Sequence, residues 1–125
     1  MNTDKNRLNG VTARIIGCAF RVTDTLGVGF PEKVNGNALA HEIREAELAV
    51  MAQRKMGVPY DDIIIGEFVA DFLIEDQIIV ELKTAKALGP EHQAQYLNYL
   101  RTTNKRLCML INFGKSRLEI KRIAA

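Results

Sequence analysis

Three charged residues stand in stretches that are otherwise apolar: Asp71 in F-V-A-D-F-L-I, and Glu81 and Lys83 in I-I-V-E-L-K. Within residues 63–84, two β-rich runs flank Glu75-Asp76-Gln77, which reads as a hairpin. If Ile74 pairs with Ile78 around that turn, Leu73 faces Ile79 and Asp71 faces Glu81. Side chains alternate along a strand, so Asp71, Leu73, Ile79, Glu81 and Lys83 share one face. Ala70, Phe72, Ile74, Ile78, Val80 and Leu82 share the other. Both faces are mostly apolar, the pattern of strands covered on both sides. Two opposed carboxylates in such a place repel, and desolvation sharpens the conflict. A divalent cation resolves it, because Mg²⁺ takes oxygen ligands from one or two carboxylates and keeps several waters. Lys83, two residues past Glu81 on the same face, can reach a metal-associated water or a phosphate oxygen. The plainer alternative is an open sheet end with an Asp71–Lys83 or Glu81–Lys83 ion pair. The D…ExK pattern is short, and surface hairpins contain it by chance.

A second constellation follows the hairpin. Gln95 and Tyr99 are four residues apart and lie on one helix face, with His92 three before Gln95 on the same side. A Q-x-x-x-Y pair beside a metal site can orient a water and bind a phosphate. The alternative is a solvated polar face with Tyr99 packed on the sheet. Glu32, in the first turn of another helix, is either a further carboxylate near the metal or a side chain favourable to the helix dipole.

The elements that must position these groups are readable from periodicity. Leu8, Val11, Ile15, Cys18, Val22 and Leu26 step by three or four, one face of an amphipathic helix. Gly27 and Gly29 end it. Pro31 fits the first turn of a second helix, with Val34, Ala38, Leu39 and Ile43 as its apolar positions. Gly36 weakens that helix by roughly 1 kcal/mol relative to Ala. A strand runs from about Leu48 to a turn at Tyr60-Asp61-Asp62, and the hairpin follows. Gly89-Pro90 starts a helix from about Glu91 to Thr103. A strand over Leu107–Phe113, a turn at Gly114–Ser116 and an edge strand over Leu118–Ile123 complete the chain. The order is α-α-β-β-β-α-β-β, an α/β (α+β) arrangement in which a mixed central sheet is flanked by helices.

The 125 residues fit one domain, with residues 1–7 expected to be a flexible lead-in. Hydrophobic residues make up 47% and charged residues 26%, a globular composition. A net charge of +2 is too small to argue for a nucleic-acid partner, so a basic patch would have to come from the fold. Cys18 and Cys108 read as buried free thiols, which fits a reducing, cytoplasmic setting. With no CxxC and only His41 and His92, a zinc site is not indicated. The polar opening MNTDKNRLNG has no signal-peptide core, and no stretch approaches the roughly 20 apolar residues of a membrane span. G-x-S-x-G, P-loop, G-x-G-x-x-G and H-E-x-x-H motifs are missing.

From about Gly10 to Ile123 the sequence resembles the small bacterial GxxExxY proteins, placed in the PD-(D/E)xK nuclease superfamily. The stretches that carry the resemblance are L-G-V-G-F-P-E-K-V, N-A-L-A-H-E-I, I-G-E-F-V-A-D-F-L-I-E-D-Q-I-I-V-E-L-K, H-Q-A-Q-Y-L-N-Y-L and L-I-N-F-G. The resemblance implies a restriction-endonuclease-like core and puts Asp71, Glu81 and Lys83 at the D…ExK positions. Glu32 matches the signature glutamate, and Gln95 with Tyr99 resembles the QxxxY motif of RecB-type exonucleases. The signature departs at its tyrosine, where this chain has Asn35 followed by Gly36.

On that resemblance the expected activity is Mg²⁺- or Mn²⁺-dependent hydrolysis of phosphodiester bonds in DNA. Asp71 and Glu81 are the expected metal ligands, with Glu32 and the Leu82 carbonyl in support. Lys83 and Gln95 are the expected catalytic partners. Tyr99, His92, Lys86 and Arg101 are expected to touch substrate, with Lys105 and Arg106 as further backbone contacts. The alternative is a catalytically weak or inactive module of the same fold that binds nucleic acid or dimerises. The Leu118–Ile123 edge could pair with another copy or a larger partner.

Overall fold

The run Leu107–Asn112 is buried along its whole length, so it must be a strand inside a sheet covered on both faces. A computed structural model describes residues 3–124 and places that strand, β4, between β3 (Ile78–Lys83) and β5 (Glu119–Ala124). The other elements are α1 (Thr3–Leu26), α2 (Glu32–Glu45), β1 (Val50–Tyr60), β2 (Ile63–Ile74) and α3 (Pro90–Thr103). The order along the chain is the one the periodicity predicts. The strands lie in sequence order, antiparallel except for the parallel pair β3–β4. Parallel neighbours need a crossover, and α3 supplies it.

Helices α1 and α2 cover one face of the sheet, and α3 covers the other. Val11, Ile15, Cys18 and Val22 of α1 and Leu39 and Ile43 of α2 pack with Phe72, Ile74, Ile78, Val80, Leu82 and alternate residues of β4. Tyr96 and Leu100 of α3 pack with Leu73, Ile79, Cys108 and Leu110. Helix α1 already includes Thr3 to Arg7, so most of the expected lead-in is helical. It ends where Gly27 takes φ +71° and its N–H donates to the Thr23 carbonyl at 2.8 Å. Val34, expected in the apolar face of α2, is 37% exposed. The helix instead turns Gly36 to the sheet, where a Cβ would stand 3.2 Å from Leu82 Cδ1. Glycine at that position therefore lets α2 approach β3 closely, with Glu32 one turn away.

The β2–β3 pairing is Ile74↔Ile78, Leu73↔Ile79 and Phe72↔Val80, the register expected around Glu75–Gln77. Beyond Phe72, β2 is paired with β1 alone, and the two form a ribbon closed by Asp61 and Asp62, both at positive φ. That is the geometry of a tight two-residue hairpin turn. The face assignment of Ala70 needs correction. Ala70 packs on the α3 side with Phe68 and Met56, whereas Phe72 and Ile74 pack under α1 and α2. The strand turns over between them, at Asp71. Across from Asp71, Gln53 has φ +52°, and the pairing is interrupted there. Two-stranded ribbons twist more strongly than broad sheets, and a local irregularity concentrates the twist.

The turn after β4 is tightly fitted. A Cβ on Gly114 would lie 2.6 Å from the Ala85 nitrogen and from the Thr84 carbonyl carbon. Neither backbone atom can move without shifting the segment that follows Lys83. Gly114→Ala is expected to cost about 1–3 kcal/mol by overpacking. Gly10→Ala, with nothing within 4 Å of the added Cβ, is expected to stabilise by about 1 kcal/mol. Urea unfolding of both variants reads the contrast.

Candidate functional site

Where β2 turns over, its ladder with β3 gives way to a side-chain contact. Asp71 Oδ2 accepts a hydrogen bond from the Leu82 amide at 2.8 Å. This fixes one oxygen of Asp71 at the seam between the strands. Glu81, the residue before Leu82, is only 5% exposed. Burial first, then the neighbouring charge and side chain of Asp71, push the Glu81 carboxyl from an ordinary 4.5 up to about 9, and Lys83 offsets this only in part. Two carboxyl groups thus share a site in which they cannot both ionise cheaply.

Glu32, in the first turn of α2, lies within electrostatic reach of Asp71 and Lys83. Partial desolvation raises its pKa, Asp71 raises it further, and Lys83 pulls it down. A pocket of about 720 Å³ opens here, lined by Glu32, Lys33, Arg44, Gln53 and Asp71 among others. Lys83 ends β3 on the α3 side, half-buried, with Nζ 5.6 Å from the centroid of the Tyr96 ring. The ring face attracts the ammonium and limits where it can go. Burial, then the charge of Glu81, raise the pKa of Tyr96, so its phenol stays protonated. Cys108 lies on the same side, its thiol pushed up by burial and by Glu81. Both cysteines are buried and free, as the sequence suggests.

The segment after Lys83 is held by a residue that motif reading passes over. Asn112, paired with Lys83 in the β3–β4 register, is fully buried. Its Oδ1 accepts from the Ala85 and Gly114 amides at 3.0 and 2.9 Å. Its Nδ2 donates to the Ala85 carbonyl at 2.9 Å and to Glu119 Oε1 at 3.1 Å. The same Glu119 oxygen accepts from the Leu88 amide at 3.2 Å, just before α3. These bonds set the end of β3 against the start of α3, and so Lys83 against Tyr96. The available signal was a single amide at the end of the apolar run L-C-M-L-I-N.

Helix α3 meets the site with a different residue from the one its motif suggests. Tyr99 is half-buried and stacks on Phe68, ring centroids 3.8 Å apart and nearly parallel at 6°. Gln95 is exposed and its amide donates to the Tyr99 hydroxyl at 3.1 Å. Tyr96 is the residue beneath Lys83, and it contacts Tyr99 edge-on at 5.6 Å. The Tyr96–Leu100 spacing, four apart and apolar, carries that information. His92 caps α3, its Nδ1 accepting from the Gly89 amide at 3.3 Å. Lys86 and Arg101 are exposed near opposite ends of α3. Lys105 pairs with Asp76 at 3.1 Å.

Among the described residues, no three His, Cys, Asp or Glu side chains form a metal cage by themselves. The donor set suits a hard cation that keeps much of its water: two adjacent carboxylates, one of them protonated chiefly through burial and the other's charge. No helix among these residues is long and apolar enough to cross a membrane.

A family model described as the PD-(D/E)XK nuclease superfamily matches residues 9–123. Among solved structures, the chain is similar to the crystal structure of an alkaline exonuclease (LHK-Exo) from Laribacter hongkongensis. The TM-score is 0.56 at 19% identity, covering 99% of this chain and 72% of that one. The structure of LHK-Exo in complex with dAMP gives 0.55 at 17% identity, covering 94% and 69%. At these identities the likeness is one of fold. No curated protein matches the sequence.

The crowded carboxyl pair has a measurable consequence in the metal-free protein. Glu81 keeps its proton when folded up to about pH 9 but loses it near 4.5 when unfolded. Folding therefore binds a proton across that window, and stability falls as pH rises through it. Every tenfold difference in proton affinity between the folded and unfolded chain is worth about 1.4 kcal/mol. In EDTA, Glu81→Gln is expected to flatten the decline and to raise the melting temperature at pH 8. Melting curves from pH 5 to 9 check it.

Proposed function

The chain belongs to the PD-(D/E)XK nuclease superfamily, and on that premise we propose that it hydrolyses phosphodiester bonds in DNA with the help of Mg²⁺ or Mn²⁺. The observation that carries this reading is the crowding of Asp71 and Glu81 at the β2–β3 seam, with Lys83 beside both and Glu32 within electrostatic reach of Asp71 and Lys83. Asp71 and Glu81 would hold the ion, with Glu32 at the rim and the Leu82 carbonyl as further oxygen donors. When bound, such an ion stabilises charge on the phosphoryl group and makes a water more acidic.

The chain's own residues do the rest. Leu82 N–H holds Asp71 in one orientation, so its free oxygen is directed without further ordering. Lys83, restrained against Tyr96, sets a positive charge beside the carboxylates where the attacking water and phosphoryl oxygens would lie. The water adds to phosphorus, the P–O bond to the leaving oxygen breaks, and that oxygen takes up a proton. Gln95 and Tyr99 present an amide–phenol pair on the exposed side of α3, suited to a phosphate of the same strand. The G-F-P-E-K-V-N stretch beginning at Gly29 supports assignment to the GxxExxY group within the superfamily.

A weak or inactive nucleic-acid-binding module is the second reading, and Asn35 favours it. Asn35 stands where the signature has tyrosine, is 2% exposed, and leaves Oδ1 without a hydrogen-bond partner among the described residues. An orphaned buried carbonyl weakens α2, the helix that carries Glu32.

Cleavage of end-labelled single- and double-stranded DNA separates the two. The proposal expects products with Mg²⁺ or Mn²⁺, none in EDTA, and a loss of about 10²-fold or more in Lys83→Ala. DNA binding without cleavage, or full activity in Lys83→Ala, would favour the module or dismiss the site.

A further inference from the structure

Outside the carboxylate site, the β1–β2 ribbon and the C-terminal part of α3 enclose an open groove of about 320 Å³. Its cations are Arg54, Lys55 and Lys105, its apolar surface comes from Met56, Pro59 and Ile64, and no carboxylate lines it. Arg54 and Lys55 make no ion pair among the described residues. Lys105 is held only by Asp76, whose side chain is 76% exposed, a surface pair that a stronger anion can displace. Thr102 and Thr103 also border the groove, but their hydroxyls donate to the carbonyls of Asn98 and Tyr99. Anion binding therefore falls to Arg54 and Lys105, because Lys55, next to Arg54 on the strand, turns its side chain to the other face of the ribbon.

Two elements lead from the groove to the site. Arg54 is paired across the ribbon with Ala70, the residue before Asp71. On α3, Thr103 follows Tyr96 by seven residues, about 10 Å of helix rise. A strand whose scissile phosphate lies by Asp71 and Lys83 would thus meet Arg54 within a nucleotide or two. Cations without a competing carboxylate hold a phosphodiester backbone without reading its sequence.

We propose that this groove binds the phosphodiester backbone of a single nucleic-acid strand on one side of the cleavage point. The proposal rests on the nucleic-acid reading of the site, and it is tested without chemistry. Binding of a fluorescein-labelled single-stranded 12-mer is followed by anisotropy in EDTA over a range of salt. Arg54→Gln/Lys105→Gln is expected to weaken binding about tenfold at low salt and to reduce the slope of log K against log salt by about 1.4, two contacts at 0.7 each. Arg54→Gln alone should give about half that change in slope. Lys121→Gln/Arg122→Gln removes the same charge from β5, at the opposite edge of the sheet, and should leave the slope within about 0.3 of the wild type. Equal losses from both pairs, an unaltered Arg54→Gln/Lys105→Gln, or no binding by the wild type would overturn the groove. Lys83-dependent cleavage in the first two cases leaves the nuclease reading standing. Groove-dependent binding without such cleavage leaves the groove standing and removes the nuclease.

Discussion

Two carboxyl groups are forced together at the place where the β2–β3 ladder opens, and the local structure is arranged around that crowding. Asp71 is held by the Leu82 amide, one residue from the buried Glu81. A sheet that placed only apolar residues here would pack more simply. Keeping two acids in a desolvated seam costs stability, and Glu81 relieves part of the cost by retaining its proton. Such strain persists where a cation is to be bound, because the cation converts the repulsion into attraction.

The scaffold around the pair is rigid where it must be. Asn112 and Glu119 tie the end of β3 to the start of α3 through four backbone groups. Gly36 lets α2 come close enough to β3 for Glu32 to feel Asp71 and Lys83. Tyr96 limits Lys83 from the other face. Elements on both sides of the sheet therefore converge on one seam.

The hairpin was readable because two β-rich runs flank Glu75–Gln77, and pairing Ile74 with Ile78 gives the register out to Phe72↔Val80; the expected Asp71–Glu81 pair gives way to the contact of Asp71 with the Leu82 amide. The switch of faces at Asp71 was not readable. It depends on the backbone of Gln53 in the neighbouring strand, and glutamine gives no local sign of a positive φ. Helix periodicity puts His92, Gln95 and Tyr99 on one side of α3, and Gln95 does reach Tyr99. It could not tell which side would face Lys83, since tertiary packing decides that, and Tyr96 occupies the place. Asn112 was hidden in the same way, because two of its bonds reach Ala85, 27 residues away in sequence. Burial of Asn35 likewise follows from how α2 rolls toward Gly36, which its own apolar spacing does not specify.

The most direct test of the central claim is a crystal soaked in Mn²⁺, with data collected for the anomalous signal of manganese. The account predicts a peak within coordination distance of both Asp71 and Glu81, at the seam between β2 and β3. A well-ordered structure at saturating Mn²⁺ with no peak there, or with the ion held elsewhere while the two carboxyl groups keep their contact, would contradict it.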